Sequence, residues 1–313
     1  MISLLLLAWA AVLAGPVARR LAASRWVYRA PRVGVAAWRV VAVNMVGSLL
    51  MAGLTALLHW DRTHDLVCGS WQICLDTLNG AHGRLAQLIA GCGLALVTLV
   101  VARVCSAAGQ MRRTTVRQRR RHAALVTAVG RPVPRRDATV IPDARPAAYL
   151  VPGRHGRVVV TAGAVELLPS EQLDAVLAHE RAHHASHHHR LLDLLRLLHR
   201  ALPLQVFGQA HRQVARLVEM WADDTAAKTH SRLVLARAVV TLAESLPQPV
   251  ASLRADGGDA LERVARLLQP PPALSRLATA AITTALTLAA LLPAAVTLLD
   301  RLLPISASGL WTL

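Results

Sequence analysis

Lysine, aromatic and acidic side chains are all scarce in this sequence of 313 residues. Lys228 is the sole lysine, so 34 of the 35 basic residues (35 − 1) are arginine, against 18 acids and a formal net charge of +17. Charged residues reach only 17%, below the roughly 25% of an ordinary soluble domain. Aromatics supply 3% while hydrophobic residues supply 54%. The apolar mass is therefore Ala, Leu and Val, the material of helical bundles and membrane helices. A chain so rich in aliphatics is not an intrinsically disordered one. Four cysteines are too few for a disulfide scaffold. The preference for arginine over lysine suits a GC-rich genome, and net charge alone does not make nucleic acid a partner.

What is abundant is uncharged chain. Residues 1–18, 40–58, 85–102 and 277–299 form four stretches of 18 to 23 residues without a charge. A bilayer core of about 30 Å needs about 20 residues of helix, so each is long enough to span one. Residues 1–18 read as an anchor, not a leader, because no basic segment precedes them and no Ala-x-Ala site follows. Arg19, Arg20, Arg25, Arg29, Arg32 and Arg39 follow the first stretch with no acid among them. The 59–84 loop instead mixes Asp61, Asp65 and Asp76 with Arg62 and Arg84. Six arginines then crowd into residues 111–121. The positive-inside rule turns this into a topology. The N-terminus lies outside, the first loop inside, 59–84 outside, 103–276 in the cytoplasm and the C-terminus outside. The arginine run also suits anionic lipid headgroups of the bilayer. Trp26, Trp38, Trp60 and Trp311 fall where interfacial aromatic belts are expected. Cys68 and Cys74 share the outer loop, and whether they pair is open.

The expected organisation is three membrane helices in 1–102, a cytosolic domain over 103–276, a fourth helix over 277–299 and a short external tail, 300–313. Within the cytosolic domain, 131–152 is rich in proline and reads as extended or loop chain. Two strands are expected at 147–151 and 157–161, joined by Pro152-Gly153-Arg154-His155-Gly156. A short helical piece covers 163–168. Ser170 is placed to cap the next helix, with Glu171 and Asp174 in its positive first turn. Further helices are expected over 190–202, 209–229 and 231–246, and Gln269-Pro270-Pro271-Pro272-Ala273 leads to the last span.

Inside the capped helix stands His179-Glu180-Arg181-Ala182-His183, an H-E-x-x-H motif. Residues four apart share a helix face, so both imidazoles reach one metal and Glu180 projects beside them. A catalytic zinc site needs a third protein ligand. Glu219-Met220-Trp221-Ala222-Asp223 offers two acids at the same spacing on another helix. Glu219 is the expected third ligand, Asp223 an acceptor for His179 that fixes its tautomer. Glu180 is the expected catalytic acid–base group.

His179–His183 together with Glu219–Asp223 resembles the gluzincin peptidases, both the HtpX type and, more closely, the BlaR/MecR-type antirepressor metallopeptidases. The order of three spans, cytosolic zinc domain and fourth span is similar to the second type, as is the run 146–153 ahead of 157–161. The resemblance implies a mainly α multi-pass membrane protein with a cytosolic, zincin-like helical domain carrying a small β-sheet. It implies one Zn²⁺ per chain and a polypeptide substrate, by analogy a cytosolic transcriptional repressor, with no direct contact to nucleic acid. It departs from the best-known members in having only 300–313 after the fourth span, where they carry a β-lactam sensor. Membrane-protein quality control, as in the HtpX type, is the alternative activity. A catalytically silent scaffold or metal-responsive receptor is the alternative class.

The remaining polar residues have blander expectations. His184, His187, His188 and His189 offer a second metal site as one option but read as solvated groups or polar contacts at a helix end, and Asp224 as a surface acid or cap. Arg237 and His230 are candidates to stabilise an oxyanion. The 157–161 strand is a candidate edge for an extended substrate peptide. Tyr149 reads as core packing near it.

Overall fold

A computed structural model describes residues 2–58, 84–133, 136–151, 157–245 and 256–302. Cys68, Cys74, Trp60, Trp311 and the expected external tail from 303 onward lie outside these residues, and with them the disulfide question. The N-terminal stretch forms α1 (Ile2–Val12), a π turn over Leu13–Val17 and α2 (Ala18–Ala23). Pro16 sits inside that turn, where its missing N–H breaks the regular ladder and lets one turn widen. A short α3 (Trp26–Arg29) leads into α4 (Pro31–Leu58), and α5 (Arg84–Val129) follows the loop. Then come strands β1 (Arg131–Pro132), β2 (Thr139–Ile141), β3 (Ala148–Val151) and β4 (Arg157–Thr161). The helices α6 (Ala162–Leu167), α7 (Ser170–Ala185), α8 (His188–Ala201), α9 (Gln205–Ala226), α10 (Arg232–Ser245), α11 (Asp256–Leu268) and α12 (Arg276–Leu302) complete the chain.

Four segments are long and apolar enough to cross a membrane: Ile2–Ala23, Pro31–Leu58, Gln87–Val129 and Arg276–Leu299. They cover nearly all of the four uncharged stretches and run well past three of them. At 43 residues, Gln87–Val129 rises about 65 Å, more than twice a bilayer core. The arginine run is therefore the continuation of a helix rather than a loop. Leu4, Leu88, Leu99, Leu277 and Leu288 stay exposed, as lipid-facing positions do. Two helices meet backbone to backbone at glycines. A Cβ on Gly93 would stand 2.6 Å from the Gly53 carbonyl oxygen, the close approach that small residues permit between membrane helices.

The 28-residue α4 is also longer than a bilayer core, by roughly eight residues, and its first turns pack on α9. Gly34 lies against Leu217 and Val27, each 3.0 Å from where a Cβ would stand. One apolar cluster joins Ala10, Leu21, Val27, Val35, Trp38 and Met45 to Leu195, Leu198, Phe207, Val214 and Leu217. Trp38 is fully buried in it, so it is a core residue and not part of an aromatic belt. Membrane helices and α8–α9 thus share a core.

A second cluster seats α7 under the sheet, through Val158, Val160, Leu173, Val176 and Leu177. The sheet order is β1-β2-β4-β3, with β2 and β4 parallel and β3 and β4 antiparallel. This places β4 inside and β3 on the edge, which corrects the expectation that 157–161 supplies an edge. The short strands β1 and β2 lie in the proline-rich stretch read as extended or loop chain. The α7 N-cap is Pro169 with no side-chain cap bond. Ser170 does not cap; its hydroxyl accepts from Arg136 at 2.7 Å.

Candidate metal centre

The H-E-x-x-H motif occupies the last turns of α7, and the helical repeat brings His179 and His183 onto one face. Opposite them α9 presents Glu219 and, one turn later, Asp223. The Nε2 atoms of His179 and His183 stand 3.1 Å apart. Each lies 3.3 Å from a different oxygen of Glu219. The three residues form the metal-competent group found among the described residues. Tetrahedral zinc with bonds near 2.0–2.1 Å spaces its ligand atoms about 3.3 Å apart, so the arrangement fits that ion. The chemistry of the donors fits as well. His179 Nδ1 sits 2.9 Å from Asp223 Oδ1, and His183 Nδ1 sits 3.0 Å from His188 Nδ1. With the ring protons on the Nδ1 atoms, both Nε2 lone pairs converge on one point.

Arg263 of α11 ties the two acids together. It donates to Asp223 through Nε at 2.8 Å and Nη2 at 2.7 Å, and its Nη1 lies 3.1 Å from Glu219. Burial opposes a charge on Asp223, yet the bonds from Arg263 and His179 hold its carboxyl well below the usual range. Glu219 is likewise depressed against burial, by His179 first and then by Arg263 and His183. Burial also works against charge on His179, but its bonds to Asp223 and Glu219 raise it. For His183 burial prevails and lowers it to about 4.

Glu180 points the other way around the helix, toward the sheet. The backbone amide of Leu150, on the open side of β3, donates to its carboxylate. Burial pushes Glu180 up to about 7, with the negative charge of Glu219 adding to the effect and the His179 charge opposing it. A carboxyl tuned near neutrality is suited to taking up and releasing a proton.

Of the residues singled out in the sequence, the structure brings together His179, Glu180, His183, Glu219 and Asp223. Others are corrected. Asp224 is no bare surface acid: Arg266 grips it in a bidentate pair at 2.8 and 2.7 Å. The same arginine donates to the Tyr28 carbonyl at 3.1 Å. Of the two readings of His188, solvated or in polar contact, the structure shows the second: it is 1% exposed and 3.0 Å from His183. Arg237 is exposed on α10, and His230 bonds its neighbour Thr229 at 2.9 Å. The cation set against the acids is Arg263, which sequence reasoning passed over with the whole of α11. The spacing of Leu261, Val264 and Leu268 signals the helix, but not that Arg263 within it turns toward Glu219 and Asp223.

Two imidazoles and a carboxylate on facing helices, with a half-buried glutamate beside them, form the ligand set of hydrolytic metal sites. Residues 111–215 match the model of peptidase family M48. That match takes in the H-E-x-x-H helix and ends just before Glu219, and it supports a metalloprotease. No curated protein and no solved structure matches the chain.

Proposed function

We propose that the chain is an integral-membrane zinc endopeptidase whose active site faces the cytoplasm. The convergence of His179, His183 and Glu219 beside Glu180 is the observation that carries this reading. His179, His183 and Glu219 would hold zinc, which would supply Lewis acidity toward a peptide carbonyl and a bound water. Glu180 takes a proton from the attacking water on its carboxylate and passes it to the leaving amine nitrogen. Asp223, held by Arg263, accepts from His179 Nδ1 and keeps its Nε2 free for the metal. The open edge of β3 lies over the same helix and offers main-chain groups to an extended substrate strand.

The biological role proposed is regulatory proteolysis, in which a signal at the membrane leads to cleavage of a cytosolic repressor. A second reading, quality-control cleavage of membrane proteins, draws on the packing of α9 against α4, which sets the site at the foot of a membrane helix. The activity is tested with the full chain in detergent. It should cut an unfolded polypeptide such as casein, stop with a chelator and resume with zinc, while Glu180→Gln stays inactive. Chelator-resistant cleavage, or full cleavage by Glu180→Gln, would contradict the assignment. Repressor and membrane-protein substrates are then separated by which of the two accumulates in cells carrying Glu180→Gln.

A further inference from the structure

The two histidines of the motif are held differently. His179 faces a carboxylate, Asp223. His183 faces another imidazole: His188 Nδ1 lies 3.0 Å from His183 Nδ1, with the ring centroids 4.8 Å apart and nearly perpendicular. Because Nε2 of His183 points at His179 and Glu219, the proton of the ring belongs on Nδ1. One partner of an N···N hydrogen bond must offer a lone pair, so His188 Nδ1 must be bare.

The placement of His188 is built by the fold. Ser186 and His187 form the turn between α7 and α8, and His187 takes a left-handed conformation at φ 52°. That single residue reverses the chain so that the first side chain of α8 folds back under the end of α7. The ring of His188 then rests on the indole of Trp221, with centroids 4.7 Å apart. Arg32, from the first turn of α4, stands over the same indole at 5.1 Å. A fully buried imidazole with a prepared seat is more than a helix-end residue.

We infer that His188 is a positioning residue for His183, accepting its Nδ1–H at Nδ1 and so fixing the tautomer and ring angle that turn Nε2 toward the metal. This rests on the zinc reading above. Partners of metal-bound histidines orient the ring and raise its basicity, and their loss costs roughly 10–100-fold in metal affinity. His188 would do for His183 what Asp223 does for His179, without adding negative charge. Its seat on Trp221 joins the ligand shell to the base of α4.

Asparagine and leucine have the same shape, but only asparagine carries an acceptor, at the place of histidine Nδ1. Zinc affinity of the full chain in detergent is measured by competition with a chelator. His188→Asn should remain within about threefold of the unaltered chain, and His188→Leu should weaken binding roughly 10–100-fold. Equal affinities of the two variants would overturn the inference. A second measurement needs no variant. In the zinc-loaded, ¹⁵N-histidine-labelled chain, His188 should be bare at Nδ1 and protonated at Nε2; a proton on Nδ1 would overturn the inference. Failure of the unaltered chain to bind zinc at all would overturn the zinc reading itself, an outcome distinct from either of these.

Discussion

Arg263 carries a large share of the electrostatics around the site, since it faces two carboxylates that are themselves held with His179. Asp223 is 1% exposed, and removing the partner of a buried charge costs about 3–5 kcal/mol. Arg263→Gln should therefore lower the thermal midpoint of the metal-free chain by several degrees, even where zinc is absent. A different ion pair sets part of the acid limit. The Arg136 hydrogen bond to Asp174 holds that carboxyl below its ordinary value of 3.8. A depressed folded value means stability that is present above the ordinary value and lost as pH falls through the folded one. Asp174→Asn should accordingly flatten the fall in thermal midpoint below about pH 4, while costing little at neutral pH because the pair is partly exposed. The histidine pair and its acids were legible in the sequence because both sit four apart on helices, where chemistry and periodicity coincide. Arg263 and His188 were not, because nothing in their spacing says which way a neighbouring helix will lean.

At the scale of elements, the local patterns predicted α7–α10 closely, since each has an apolar face of helical period. They missed α11, although Leu261, Val264 and Leu268 repeat there at helical spacing. They left β1 and β2 within a stretch read only as extended or loop, because β2 is paired by β4, a parallel partner beyond β3, and β1 in turn by β2. The α7–α8 turn offers a direct check on backbone strain. His187→Gly should be tolerated, because glycine adopts the left-handed conformation freely. His187→Val should cost about 1–2 kcal/mol, read from chemical denaturation. The α4–α5 crossing gives another check. Gly93→Leu would drive a side chain into the Gly53 carbonyl and the Ala56 methyl, so the helices must part. A marked loss of detergent-resistant thermal stability is expected, with Gly91→Leu, where a Cβ meets nothing within 4 Å, as the harmless control.

For the whole molecule, the notable feature is the core shared by the N-terminal helices and the helix that bears Glu219. Composition and hydropathy separate a membrane part from a zinc domain at residue 102, and nothing in one sequence reveals that Val35 and Leu217 belong to the same cluster. A fragment cut to residues 112–272 would leave Leu195, Leu198, Phe207, Val214 and Leu217 without their partners. It should aggregate or stay bound to detergent, although it lacks all four uncharged stretches of the full chain. Monodisperse, detergent-free behaviour of 112–272 would argue against a structural role for the shared core. The same packing couples α4 to the site, since a shift of α4 would move the surface on which α9 rests.

The most direct test of the account is the metal content of the full chain and four variants, purified side by side. The unaltered chain should carry about one zinc. His179→Ala, His183→Ala and Glu219→Ala should each lose it, whereas Glu180→Gln should keep the metal and lose only the ability to cut. Full zinc retained by Glu219→Ala, or no zinc in the unaltered chain, would contradict the site described here.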